Sequence, residues 1–298
     1  MAACACSSPT AGPDRDALRV EWRVPLPGGS YPGPPAPALA GGHFFAVAGG
    51  ITARRATDGS QVWHARGSDW VYGPANLIAS AGFVFAAESL VYALDGGTGQ
   101  ERWRFTPVTN ASIGKSAVDD RAFYFGTGTT ARRIYALNRA DGGVLWSTEI
   151  GPEWEFRGWV RGTAVSGDTV YATAEQYRAE NGYRSSGWLV ALDRFTGRIF
   201  WRYTLGAGED ARNLTSSPVI VGRLILASDY KGNAVIAVDR FTGQLVWETA
   251  GEAGYAGPAD SPVVVGDTAY VGSGDTHVYA LDVASGKILW RARTEASV

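Results

Sequence analysis

The chain is written in short alternating runs of apolar and polar residues, each broken by a glycine-containing turn. Val91-Tyr-Ala-Leu-Asp95 alternates and is rich in β-formers, which predicts a strand. Gly96-Gly-Thr-Gly99 follows as a tight turn, in which Asp95 bonds nearby amides and glycine takes the positive φ. Glu101-Arg-Trp-Arg-Phe105 then returns as a second strand. The same order recurs at 191–201 (ALDRFTGRIFW) and 237–247 (AVDRFTGQLVW), and in looser form at 53–63, 136–146 and 280–290. The shared pattern is Ala-x-Asp-x-x-Thr-Gly-x-x-x-Trp. Its tryptophans are Trp63, Trp103, Trp146, Trp201, Trp247 and Trp290, spaced by 40, 43, 55, 46 and 43 residues. A period of this length predicts a repeat architecture, because one hairpin cannot cover its own apolar side and stacked copies can.

Each copy reads as four strands. In the clearest one the first begins at Ser261-Pro-Val-Val-Val and the second at Thr268-Ala-Tyr-Val. The third is His277-Val-Tyr-Ala-Leu-Asp282 and the fourth Lys287-Ile-Leu-Trp-Arg291. The longest copy carries its extra residues at Glu175–Gly187, a polar hairpin extension of its second and third strands. Residues 18–28 read as a lone outer strand with Trp22, which lacks the preceding turn. Residues 1–17 are small, polar and proline-containing, and are expected to be an unstructured tail.

The eleven-residue pattern resembles the tryptophan-docking motif of the pyrroloquinoline-quinone-type β-propeller repeat, over residues 18–298. That superfamily holds quinoprotein alcohol dehydrogenases, the lipoprotein of the outer-membrane β-barrel assembly machinery, and non-catalytic sensor or scaffold rings. The resemblance implies an all-β propeller of four-stranded antiparallel blades, with each tryptophan stapling one blade to the next. Six complete blades are expected, plus the orphan Trp22 strand; either six blades close and that strand pairs at an edge, or it belongs to an incomplete seventh blade and asks for three inner strands, the second reading being preferred. The fold is specified strongly by this motif, the activity weakly, since the repeated residues are structural.

Composition narrows the functional classes. There are 27 Lys and Arg against 29 Asp and Glu, a net charge of −2, which gives no basic stripe for nucleic acid. No run approaches the ~20 apolar residues that cross a bilayer. The two cysteines, Cys4 and Cys6, both precede the repeats. Ala-Ala-Cys4 followed by Ser-Ser-Pro is similar to the cleavage end of a bacterial lipoprotein signal, so Cys4 is a lipidation candidate, with a bland small-residue tail as the alternative. That reading places the chain outside the cytoplasm, with membrane contact only through the lipid.

Dehydrogenases of the superfamily carry adjacent cysteines beneath a quinone, a calcium site and a catalytic Asp. No cysteine lies within the repeats here, so that cysteine pair is excluded. Neither a metal nor a catalytic residue is expected. His43, His64 and His277 are assigned to different blades, Asp95, Asp193, Asp239 and Asp282 to turn formation, and Gly126-Thr-Gly128 and Gly272-Ser-Gly274 to ordinary turns. Asn110-Ala-Ser112 and Asn213-Leu-Thr215 fit a glycosylation sequon.

What differs among copies is the crossing from each outer strand to the next inner one, and these crossings meet at one mouth of the ring. They hold Tyr31, Trp70, Tyr72, Lys115, Trp154, Arg157, Trp159, Arg161, Arg212, Asn213 and Tyr255. Aromatic and arginine side chains on loops over a rigid ring suit protein or peptide recognition. The plainer alternative is that they cover blade ends and pair locally. Two functional classes follow: a non-catalytic envelope scaffold, or a quinoprotein-like oxidoreductase.

Overall fold

The computed structural model describes residues 22–24, 36–47, 49–65, 76–107, 112–129, 132–151, 157–178, 184–205, 212–251 and 260–294. These hold strands and turns with no helix, arranged as six antiparallel sheets. The sheets follow one another along the chain as blades 1 to 6, at residues 38–65, 76–105, 117–149, 157–205, 219–250 and 263–293. In every blade the strands pair in chain order, and the first strands of blades 1 to 5 lie against one another in succession. First strands therefore line the centre and fourth strands form the rim of a β-propeller.

Each part of the repeated pattern has a structural reason. The alanine pairs across the sheet with the tryptophan in all six blades, from Ala53↔Trp63 to Ala280↔Trp290. A small residue at that point leaves room for the indole. The aspartate carboxylate then accepts the turn amides: in blade 2, those of Gly97 and Thr98 at 3.0 and 2.9 Å, together with the Thr98 hydroxyl at 2.9 Å. Blades 4 and 5 repeat this around Asp193 and Asp239.

The tryptophan is answered by the next blade. Trp63 donates its indole N–H to the Gly96 carbonyl at 2.9 Å, Trp103 to Arg139, Trp146 to Arg194, Trp201 to Arg240 and Trp247 to Val283. Every acceptor is the residue just after the Asp or Asn that opens the turn. The turn glycine lies flat beneath the ring. At Gly243, with φ of +73°, an added Cβ would meet the Trp201 ring at 2.7 Å. Both the conformation and the close approach exclude a side chain there.

The core is accordingly built between blades rather than within them. Phe45, Ile51 and Trp63 of blade 1 pack with Val84, Ala86 and Tyr92 of blade 2. Comparable buried layers join each later pair. Burying aromatic and aliphatic faces in this way stabilises at roughly 25 cal/mol per Å² of apolar surface.

Three expectations need correction. Trp290 is not a docking residue in this structure: it is 47% exposed, and its whole strand, Ile288–Arg293, is exposed. Its place in the series is taken by Trp22, which donates to the Ala56 carbonyl at 2.9 Å, covers Gly59 and meets Phe44 edge-on. Trp22–Val24 form no strand pairing, so the lone strand contributes its ring but no ladder among the described residues. Second, His43 and His64 share blade 1, since they stand on its second and fourth strands.

Third, Gly126-Thr-Gly128 is more than a turn. Gly126 ends the second strand of blade 3, whereas Gly128–Thr129 leave that sheet and pair with Trp159 and Gly158 in blade 4. Lys115 bridges in parallel to Gly162 close by. Blades 3 and 4 are thus joined by main-chain hydrogen bonds as well as side-chain packing. Asp282 behaves as read. The second and third strands of blade 4 are lengthened as expected, with the hairpin tip at 179–183 outside the described residues, and the first strand is lengthened too, so that Arg157–Ser166, Thr169–Arg178 and Arg184–Asp193 each run 10 residues.

Replacing a seated tryptophan should remove both its packing and its hydrogen bond. Trp103→Ala is expected to cost about 3–5 kcal/mol in urea melts, whereas exposed Trp290→Ala should cost under about 1 kcal/mol; equal losses would refute the docking assignment. The turn carboxylates give a second test. Asp95 is held down at about 2, first by the Arg102 guanidinium and then by the Thr98 hydroxyl and amide. Burial opposes the charge of Asp239, yet the Thr242 amide, Arg223 and the Phe241 amide together bring it to about 2. Both folded values lie below the unfolded one, so the stability they contribute is complete above about pH 4 and lost as pH falls from about 4 to 2. Carbon-13 titration of the two carboxyls should give midpoints near the lower figure, and midpoints near 4 would show that the turn bonds do not form.

Candidate functional site

Strand order puts the passage from each fourth strand to the next first strand at the end opposite the Asp-x-x-Thr-Gly turns. Of the anticipated mouth residues, Lys115, Trp159, Arg161, Arg212 and Asn213 are described with their side chains. Arg157 is described by its backbone alone, as the first residue of its strand. Trp70, Tyr72, Trp154 and Tyr255, like Tyr31 and Asn110, lie outside the described residues.

The mouth is assembled on the first strands of blades 3 to 6. The Lys115 amide donates to the Arg161 carbonyl and the Thr163 amide to the Lys115 carbonyl, both at 2.9 Å. A Cβ on Gly162 would lie 2.0 Å from the Ser217 hydroxyl, so glycine permits this approach of blades 4 and 5. The Ser217 amide in turn donates to the Ser261 hydroxyl of blade 6 at 3.0 Å. Small residues and hydroxyls bring the inner ends together, and Lys115 spans them. Its Nζ reaches Asp260, 145 residues away, at 2.5 Å. The Asp260 carboxyl sits below its usual range, chiefly because of this contact. Both side chains are well exposed, at 57% and 81%, so the ion pair contributes little to stability.

Below this surface lie two fully buried carboxylates that sequence reasoning missed. Glu175 belongs to a stretch read as a polar extension, yet it has no exposed surface. Arg161 donates to one of its oxygens and Asn213 Nδ2 to the other, the latter at 2.9 Å. Asp229 receives Arg212 Nε at 2.5 Å, the Asn213 amide at 3.1 Å and the Gly232 amide at 3.0 Å. Arg212 also grips Glu248 at 2.8 Å. Burial disfavours the Arg212 charge, but these two carboxylates more than offset it and raise its pKa.

Arg161, Arg212 and Asn213 therefore hold the joint between blades 4 and 5 as well as bordering the mouth. Arg161 stands on the strand next to the one that carries Glu175, and Arg212 and Asn213 precede the blade that carries Asp229, an adjacency that periodicity alone does not reveal. Asn213 is 3% exposed and bonded to Glu175, so its sequon is closed to glycosylation in the folded chain.

Trp159 is half-buried. Its ring lies against Gly128 of the preceding blade, and the Arg161 guanidinium stacks on it at 5.6 Å. The site presents a braced aromatic ring, a guanidinium and an ammonium that a weak ion pair holds across the ring. Among the described residues no group of His, Cys, Asp and Glu side chains converges as metal ligands would. Glu175 and Asp229 face arginine, a donor set unsuited to calcium, and the residues present do not fit the quinone site of the dehydrogenases.

A sequence profile described as outer membrane protein assembly factor BamB matches residues 14–182 and 160–292. The chain belongs to the BamB family. It is 29% identical to the Yersinia pestis outer membrane protein assembly factor BamB over 226 residues, covering 70% of this chain and 53% of that protein. It is also 31% identical over 330 residues to the serine/threonine-protein kinase AfsK of Streptomyces coelicolor, covering 99% of this chain and 38% of the kinase. The chain thus spans about half, or less, of these two relatives. Among solved structures, BamB from Moraxella catarrhalis has the same fold, with a TM-score of 0.62 at 20% identity over 88% of this chain and 74% of that one.

The buried acid makes a specific demand. Glu175→Leu should unfold the chain earlier in urea by about 1–3 kcal/mol, because it removes a buried acceptor from Arg161 and Asn213. Asp260→Asn, which breaks only the exposed pair, should cost less than about 1 kcal/mol. Comparable losses would place Glu175 outside the buried joint.

Proposed function

We propose that this chain is a non-catalytic binding scaffold of the bacterial cell envelope that offers the mouth of its ring to a protein or extended peptide. A part in outer-membrane protein assembly, like that named for its relatives in the BamB family, fits this reading. One observation carries it: Trp159, Arg161 and Lys115 are positioned by main-chain hydrogen bonds between rigid blades, and only a weak exposed pair occupies Lys115. A partner carboxylate could replace Asp260 on Lys115 while an apolar or aromatic side chain covers Trp159. Such an aromatic and cationic centre is what interface hot spots are made of. Trp70, Tyr72, Trp154, Arg157 and Tyr255 belong to the same crossings in the sequence. No cofactor is required. Location outside the cytoplasm, through lipidated Cys4, accords with the signal-like sequence around that residue.

The test avoids Arg161, whose loss would strand Glu175. Lys115→Met combined with Trp159→Ala should lower recovery of a crosslinked partner from envelope extracts by at least about tenfold, measured well below the melting transition of the variant. Equal recovery would remove the mouth from the proposal. Incubation with pyrroloquinoline quinone and calcium should give no dye reduction above background, and turnover would make the chain an oxidoreductase instead.

A further inference from the structure

The repeat leaves one indole without a seat. Six turn glycines each lie beneath a tryptophan, from Gly59 under Trp22 to Gly286 under Trp247. The sequence holds six copies of that turn, so all of them are taken. Trp290 is the remaining ring of the series. It pairs with Ala280 as Trp247 pairs with Ala237, yet it faces solvent where Trp247 is buried.

The whole face around Trp290 is bare. Register equates Val263, Val265 and Tyr270 of blade 6 with Val219, Val221 and Leu226 of blade 5. In blade 5 those side chains pack on blade 6 together with Trp247. In blade 6, Val263 and Val265 stand 63% and 65% exposed, beside Tyr270, whose ring meets Trp290 at 5.9 Å. An end unit of a repeat array is normally polar on its outer face. This face keeps the apolar pattern of an inner one, and exposed apolar groups set side by side mark an interaction surface.

Blade 1 shows the other side of the same space. Leu39 holds the register position of Val264, which packs toward blade 5, but Leu39 is 68% exposed. Trp22 covers Gly59 and Phe44 as the fourth strand of one blade covers the next, although Trp22–Val24 pair with no strand among the described residues. Blade 6 lacks a sheet after it, and Trp22 lacks a third strand beside it. One three-stranded sheet supplies both.

We propose that the space between blades 6 and 1 receives a three-stranded antiparallel segment of a partner polypeptide that carries a glycine turn of this repeat. Its third strand pairs along Trp22–Val24, its turn glycine lies under Trp290, and the turn carbonyl accepts the indole N–H. Three observations select this occupant. A second copy has no open glycine turn to offer, since all six are filled. A lipid surface has no main chain to pair with Trp22–Val24. Val263 is on the innermost strand and Trp290 on the outermost, three spacings of about 4.8 Å apart, which a single extended peptide does not cover. The position is separate from the mouth, and its test leaves Lys115 and Trp159 unaltered.

The probe is a synthetic peptide of residues 217–244, the first three strands of blade 5 with their turn. Titrated into the full chain, it is expected to bind one to one, raise the melting temperature and shield Trp290 from acrylamide, read as the difference from Trp290→Phe. Trp290→Ala, an exposed change that leaves the fold intact, should weaken binding by about tenfold or more. Gly243→Val in the peptide should weaken it similarly, because a side chain there bars the indole. Should the peptide self-associate, the same segment is joined after Val298 by a flexible linker. Shielding of Trp290 and a higher melting temperature are again expected, and Gly243→Val in the appended copy should abolish both. Absence of binding and shielding, or indifference to Trp290→Ala and Gly243→Val, overturns the proposal. So does a concentration-dependent dimer of the chain alone that Trp290→Ala dissolves, which would make a second copy the occupant.

Discussion

The fold depends on one contact made over and over: an indole of one blade lying on the turn of the next. Apolar contact and a hydrogen bond are combined there in a way neither could manage alone. The flat ring needs a surface without side chains, which glycine at positive φ supplies, and its N–H needs an acceptor, which the turn carbonyl supplies. The aspartate fixes the turn that fixes that carbonyl. A change at any of the three positions is felt in the neighbouring blade, so the cooperative unit is the joint rather than the sheet.

Much of this was legible because it is local and repeated. The strands, the turn chemistry of Asp95, Asp193, Asp239 and Asp282, and the special standing of Trp63, Trp103, Trp146, Trp201 and Trp247 all follow from pattern. Two tryptophans show the limit. Trp22 lacks the motif yet finds a seat on Gly59, while Trp290 closes a near-complete copy, with Ser285 in place of threonine, and faces solvent. Motif describes the residue that docks, but docking also needs a following turn, and that is a fact about topology.

The mouth was legible as a location and less so in its chemistry. Lys115 is exposed, as its loop position suggested, whereas Trp159 stands half-buried on the first strand of blade 4. Arg161, Arg212 and Asn213 are committed to Glu175 and Asp229, acids that a linear reading places on a polar hairpin and at a strand end. Separating those roles needs three-dimensional adjacency between blades 4 and 5, which a single sequence does not encode in any periodic form. The same holds for Gly128, which crosses to pair with blade 4 and lies against the ring of Trp159.

Each seated indole reaches toward the blade that follows and never back. A single unit therefore brings one plug and one socket. Duplicating or deleting a whole unit, from one crossing to the next, leaves the count of each matched and reworks no joint. A cut made elsewhere, inside a blade, would leave a plug without its socket, and the chemistry of the joint would select against it.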